Sequence, residues 1–175
     1  MRIYLDTSVI NGLYSNDERI QSITKDFFRS AKFGHFTLYG SETVSLEIKN
    51  TPDIEKRKLL IDVILSHAKA MEYHQPTDKG FPLLLRKSID EYSVEILPIT
   101  KEIENLASCY IENKIIPAKY LPDALHIACC VIHNVPILVS WNFKHIVKHK
   151  TRAEVNIINQ KHSLPQIDLC SPEEV

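Results

Sequence analysis

Two acidic residues and one asparagine stand where a folded chain could gather oxygen ligands. Asp6 directly follows a strand-like run at residues 1–5, and Asn142 lies just beyond the apolar run at residues 137–140. Asp123 comes directly after a proline, at the start of an apolar helix. Because open α/β sheets bind ligands at the carboxyl ends of their strands, these three residues are candidates for one site. Such a cluster suits Mg²⁺ or Mn²⁺, which can activate a water for hydrolysis of a phosphodiester.

The elements that must position these residues are strands and helices in alternation, which predicts an α/β fold. The run 137–140 has no polar alternation, a pattern typical of a parallel strand covered on both faces. Other strands are predicted at residues 1–5 and 36–39 and, as an edge strand, at 167–170. The remaining strand is predicted either at residues 70–74 or at residues 94–97.

Helices are predicted where capping residues precede apolar positions at helical spacing. Asp17, Ser41 and Thr100 are the predicted caps, and Gly34 is the predicted end of the first long helix. Two more helices are expected at residues 54–68 and 152–161. The stretch 69–95 has weak periodicity, and we expect it to form a peripheral helical flap.

Length and composition favour one globular unit. The chain has 175 residues, of which 44% are hydrophobic and 25% charged, so we expect a single domain over residues 1–175. The formal net charge is -1, so a polyanion would have to be bound by local positive charge. No secretion signal or membrane-length apolar run is present, and we expect a cytoplasmic protein with no membrane association.

Two histidines and two cysteines in and directly after the central helix are candidate zinc ligands. His126, Cys129, Cys130 and His133 fall on one helical stripe. A straight helix cannot wrap four ligands around one ion, so core packing is favoured over a zinc site. No Cys-x-x-Cys pair occurs, and the cysteines are expected to be reduced and mostly buried.

Four short motifs, in order along the chain, resemble the PIN-domain nucleases. They are Leu-Asp-Thr-Ser-Val-Ile-Asn at residues 5–11, Ser-Leu-Glu-Ile-Lys at 45–49, Asp-Ala-Leu-His-Ile-Ala at 123–128 and Ser-Trp-Asn-Phe-Lys-His at 140–145. The family includes toxins of toxin-antitoxin pairs. The resemblance implies a three-layer α/β/α domain with a mostly parallel sheet, RNA as the substrate, an antitoxin protein as a partner, and a homodimer.

The resemblance also implies which residues form the catalytic and metal-binding site. The strand before Asp6 and the strand at residues 137–140 would be neighbours, which brings Asp6 and Asn142 together beside Asp123. Glu47 would reach the site from an adjacent helix, and these four residues would bind Mg²⁺ or Mn²⁺. Thr7 or Ser8 would support a ligand carboxylate by a hydrogen bond. Each acid taken alone also fits a structural role as a cap or a solvated helix residue.

Two further features have more than one interpretation. The basic residues Lys144, Lys148, Lys150 and Arg152 either form a solvated face or contact RNA phosphates. Trp141 is predicted to pack beside the site. Nucleotide-binding loops of the Gly-x-Gly-x-x-Gly and Walker types are absent, since the chain has only four glycines.

Asn142 departs from the family pattern, in which many members carry a fourth acid. Asparagine can bind a cation through its carbonyl oxygen but adds no negative charge, which leaves open whether the site holds one ion or two. The alternative to a ribonuclease is therefore a catalytically weak or inactive PIN-fold module that binds RNA or a protein partner.

Overall fold

Five parallel strands form the central sheet of the computed structural model, which describes residues 1–33, 36–72 and 94–175. In chain order the strands are β1 (Arg2–Leu5), β2 (Thr37–Ser41), β3 (Val94–Leu97), β4 (Ile137–Val139) and β5 (Asp168–Cys170). Their spatial order is β3-β2-β1-β4-β5, and every pairing is parallel. Residues 3–5 of β1 align with residues 137–139 of β4. The strand before Asp6 and the strand before Asn142 are therefore neighbours, as expected.

Helices flank the sheet and complete a three-layer α/β/α arrangement, which confirms the predicted fold class. They are α1 (Thr7–Gly12), α2 (Glu18–Lys32), α3 (Glu42–Lys49), α4 (Ile54–Glu72), α5 (Lys101–Glu112), α6 (Leu121–Ile132) and α7 (His149–Lys161). A short 3₁₀ turn, Ala118–Tyr120, leads into α6.

The core explains why these apolar runs become central strands and a central helix. Ile3, Tyr4 and Leu5 of β1 are fully buried, and so are Leu138 and Val139 of β4. Strands covered on both faces need such continuous apolar runs. Helix α6 is buried along most of its length, including both of its cysteines. This burial agrees with core packing for the cysteines, which are free thiols.

The predicted helix caps divide into two groups. Asp17 accepts hydrogen bonds from the amides of Arg19 and Ile20, so it caps α2 as predicted. Thr100 caps α5 in the same way. Ser41 occupies the predicted position before α3, yet its side chain makes no capping hydrogen bond. Its hydroxyl lies 2.6 Å from Tyr4 Oη instead.

The remaining strand of the sheet is Val94–Leu97, so the alternative at residues 70–74 is wrong. Residues 70–72 belong to α4, which continues four residues past its predicted end at residue 68. Helix α7 begins at His149, three residues before its predicted start. The predicted edge strand is confirmed as β5. Gly34 and most of the predicted flap lie outside the described residues. In the described parts of the chain, no helix has the length and apolar character needed to cross a membrane.

Candidate functional site

The site begins where β1 and β4 end side by side. The Asp6 amide donates a hydrogen bond to the Val139 carbonyl oxygen at 3.2 Å, which extends the β1–β4 pairing by one residue. Asp6 then caps α1, and its backbone is extended. The chain after β4 passes the same point, because the Trp141 amide donates to Ser8 Oγ at 2.8 Å. The two segments are therefore joined at the carboxyl edge of the sheet, as predicted.

Asp6 is held by hydroxyl and amide donors on both of its carboxylate oxygens. Oδ1 accepts from the Ser8 amide at 2.9 Å and from the Ser8 hydroxyl, and Oδ2 accepts from Ser140 Oγ at 2.6 Å. The side chain is buried, with 4% of the residue exposed. Burial raises the pKa of Asp6, and the charge of His126 and these hydrogen bonds oppose that rise. Ser8 thus supports Asp6 as predicted, and Ser140 is an additional donor.

Glu47 reaches the site from α3 and is oriented by two donors. Its Oε2 accepts hydrogen bonds from the Thr7 hydroxyl and from His126 Nε2, the latter at 3.0 Å. Burial raises the pKa of Glu47, but the hydrogen bond and charge of His126 and the Thr7 hydroxyl lower it overall. Glu47 is therefore kept ionised. Thr7 supports Glu47, whereas Ser8 supports Asp6.

His126 lies at the centre of the site, and sequence reasoning missed this role. The residue is 2% exposed, and its Nδ1 lies 2.8 Å from Tyr4 Oη. Burial lowers the pKa of His126, but Glu47, Asp6 and Asp123 raise it above its ordinary value. In the protonated ring both nitrogens donate, one to Glu47 and the other to Tyr4, whose hydroxyl then donates to Ser41. The imidazolium supplies a positive charge among three carboxylates.

Asp123 has a buried carboxylate oxygen, Oδ2, that has no hydrogen-bond partner within the described part of the chain. The pKa of Asp123 is raised to about 6: burial, Asp6 and Glu47 raise it, while the charge of His126 and the side chain of Asn142 oppose the rise. The Asn142 carbonyl oxygen accepts from the His145 amide at 3.0 Å.

The carboxylate and amide oxygens of these side chains are ligands that suit a hard divalent cation. An unpartnered buried carboxylate oxygen and two carboxyls with raised pKa values are what a cation would relieve. The acids are nevertheless not already closed around one point, since residues 1–33, 36–72 and 94–175 contain no group of three Asp, Glu, His or Cys side chains poised to hold an ion. Binding of a cation would require the acids to move closer together, whereas the Asn142 carbonyl oxygen has a second lone pair for a cation beside the one that accepts from the His145 amide.

The four predicted basic residues differ in whether an acidic side chain pairs with them. Arg152 forms a two-nitrogen ion pair with Glu174, with a shortest distance of 2.8 Å. Lys150 pairs with Glu154 at 3.6 Å. Lys144 and Lys148 are exposed near the site. Neutralised pairs bind phosphate less well than free cations, so Lys144 and Lys148 are the stronger members of the predicted set.

Trp141 packs beside the site, as predicted. Its indole Nε1 donates to Thr24 Oγ1 at 3.0 Å, and the ring lies against the core. The close approach of α1 to this ring explains Gly12. A Cβ atom there would lie 2.9 Å from the indole nitrogen and 2.6 Å from the Thr24 hydroxyl oxygen.

One feature of the sequence could have identified His126 as a residue of the site. It lies three residues after Asp123, so the two side chains share a face of α6. The same spacing also suits the core stripe shared with Cys129 and Cys130, which are buried. His133, the fourth residue of the zinc interpretation, instead lies with Nε2 3.1 Å from the Pro98 carbonyl oxygen.

Comparison with known proteins gives a likeness to solved structures. No family model and no curated protein matches the chain. A solved structure described as a toxin-antitoxin complex from Klebsiella pneumoniae contains a similar chain, with a TM-score of 0.47 and 16% sequence identity. The match covers 85% of this chain and 93% of that chain. A likeness at this level carries no conclusion about the chemistry of the site.

Proposed function

We propose that the chain is a PIN-type ribonuclease that hydrolyses RNA phosphodiester bonds with Mg²⁺ or Mn²⁺. The observation that carries the proposal is the convergence of Asp6, Glu47 and Asp123 on one buried imidazole, that of His126, at the carboxyl edge of a parallel sheet. Capping of α1 accounts for Asp6 but does not explain why Glu47 and Asp123, on two other helices, act on the same histidine. The three carboxylates repel one another, and a bound cation would offset that repulsion.

Asp6, Glu47 and Asp123 would hold the ion, with Asn142 beside them. When bound, such an ion stabilises negative charge on the scissile phosphate and lowers the pKa of the attacking water. The hydroxyls around Asp6 fix that carboxylate, and Thr7 and His126 fix Glu47. Ligand side chains that are oriented in advance lose less entropy on binding.

Asp123 makes the proposed site sensitive to pH. Its pKa of about 6 means that the carboxyl carries a proton in mildly acidic solution. A carboxyl must lose that proton to bind a cation, so metal affinity should fall as the pH drops below about 6. The same change should weaken cleavage.

A non-catalytic function is the second candidate. Under this alternative the chain is a PIN-fold module that binds RNA or a protein without cutting. Asn142 favours it, because the residue adds no negative charge to the site. The lack of a closed three-ligand group in the described residues points the same way.

A role as a toxin is proposed from the motif resemblance. The resemblance implies an antitoxin that blocks the site and a homodimer of the toxin. Light scattering of the purified chain would measure the oligomeric state. A short DNA-binding protein encoded directly upstream would support the toxin role, and its co-purification with the chain would test the partner.

The deciding experiment measures RNA cleavage and metal binding together. Wild type should cut RNA with Mn²⁺ or Mg²⁺ but not with a chelator, and Asp6→Ala, Glu47→Ala and Asp123→Ala should each abolish cutting. Glu55→Gln, at an exposed glutamate on α4, is the matched control and should retain full activity. Calorimetric titration with Mn²⁺ should show binding to wild type and control only. Metal-independent cutting, or equal cutting by all variants, would reject the assignment.

A further inference from the structure

Three lysines lie around a pair of tilted rings in contact next to the acidic site. The rings of Tyr120 and His145 lie with centroids 3.9 Å apart, and Lys119 Nζ lies 4.9 Å from the centroid of the Tyr120 ring. Lys144 and Lys148 act electrostatically on the same histidine as Lys119. The three lysines, called the lysine cluster below, are all exposed. Residues from two separate segments thus build one positively charged surface.

The positive charge of the lysine cluster is not neutralised within the described part of the protein. The ion pairs there use other cations, including Lys101, Lys150 and Arg152, and none includes a member of the cluster. Like charges held close together are favourable only when an anion joins them.

The cluster adjoins the acids through two short connections. Tyr120 precedes Asp123 by three residues, which is about one turn of helix. The His145 amide is hydrogen-bonded to the side chain of Asn142. A polyanionic chain bound at the lysines would therefore lie next to Asp123 and Asn142.

A polyanionic substrate needs such an anchor. The acids repel phosphate, and the whole chain carries a formal net charge of -1, so overall charge gives no attraction. Local cations next to the carboxylates would offset that repulsion. An acidic protein partner would gain from the same lysines, but nothing would require its binding site to lie beside the acids.

We infer that Lys119, Lys144 and Lys148 bind the phosphodiester backbone of RNA next to the scissile phosphate. The inference rests on the proposed function for its choice of ligand, and it adds Lys119 to the residues expected from the sequence. Phosphate contacts position the strand and carry no base specificity. Binding should therefore vary little with RNA sequence and should weaken as salt increases.

The test measures binding of a fluorescein-labelled single-stranded RNA by anisotropy, with a chelator present so that no cutting occurs. The cluster variant is Lys119→Gln/Lys144→Gln/Lys148→Gln. The control variant, Lys25→Gln/Lys58→Gln/Lys101→Gln, removes the same charge from exposed positions on α2, α4 and α5. Thermal unfolding of both variants checks that each is folded.

Wild type and control should show the same dependence of affinity on salt. Each lost phosphate contact lowers the slope of log K against log salt by about 0.7 for a single strand, so the cluster variant should lose about 2 from the slope. We expect its affinity at low salt to fall at least about tenfold. Equal slopes in all three proteins, equal losses in both variants, or no RNA binding by wild type would overturn the inference.

Two further arms separate this inference from the proposed function. If wild type cuts RNA but the cluster variant binds as well as wild type, the lysine inference alone fails. If binding depends on the cluster but no metal-dependent cutting occurs, the nuclease proposal alone fails. Poly-glutamate serves as a competitor. If it binds wild type through the cluster more tightly than RNA does, the occupant is an acidic protein and the RNA inference is rejected.

Discussion

Asp123 offers the sharpest test of the electrostatics of the site. Burial raises its pKa to about 6 in the folded chain, whereas an unfolded chain has a value of about 3.9. A carboxyl with a raised folded pKa contributes stability that is fully present below about pH 4 and is lost as the pH rises through about 6. The difference of about two pKa units corresponds to about 3 kcal/mol, which partial exposure of the side chain reduces to about 2 kcal/mol.

Asp123→Asn keeps the size of the side chain and removes its charge. We expect the free energy of unfolding of the metal-free protein to rise by about 2 kcal/mol near pH 8 and to change by less than about 0.5 kcal/mol near pH 3.5. Urea unfolding with a chelator present measures both values, and the single tryptophan, Trp141, reports the transition. Asp62→Asn, at an exposed position on α4, is the control and should show no gain that depends on pH. A variant less stable than wild type near pH 8, or a gain that is equal at both pH values, would refute the reasoning.

Three other substitutions test the surroundings of the site. Tyr4→Phe removes the hydroxyl that contacts His126 and should lower the free energy of unfolding by about 1–3 kcal/mol, measured by urea unfolding. Gly12→Ala places a Cβ atom 2.9 Å from the Trp141 indole nitrogen, so thermal unfolding should show a lower Tm; an unchanged Tm would mean that α1 shifts without cost. Asn142→Asp should lower the Tm of the metal-free protein and tighten Mn²⁺ binding about tenfold in calorimetry, since an added charge at ligand distance contributes roughly 1–3 kcal/mol.

The sheet could be predicted from the sequence because its central strands are continuous apolar runs. β1 and β4 have no polar alternation, and their side chains are buried on both faces. β3 was harder to place, because it is an edge strand in which Glu95 is exposed and Ile96 and Leu97 are only partly buried. A short run of this kind looks like many other segments. The true end of α4 was missed because the segment beyond residue 68 has weak periodicity.

Asp6 and Asn142 could be placed from the sequence because each of them follows closely after a strand. Asp6 and Asn142 follow neighbouring parallel strands, and neither position depends on the details of side-chain packing. Two of the contacts that orient the acids, those of Ser140 and His126, could not be predicted. Ser140 and His126 meet their partners only through tertiary folding, and a polar residue at a core position is most often simply a satisfied one.

The charges around Asn142 explain why an uncharged side chain suits this position. Asp6, Glu47 and Asp123 face one imidazole, that of His126, whose pKa they raise. A fourth carboxylate at residue 142 could only accept hydrogen bonds, so it would repel Asp123, whose pKa is already raised. Asparagine instead adds no charge and lowers the pKa of Asp123, while its carbonyl oxygen accepts from the His145 amide. The residue therefore lowers repulsion in the metal-free site, and it leaves the unpartnered Asp123 oxygen as the place where an added positive charge would be bound most favourably.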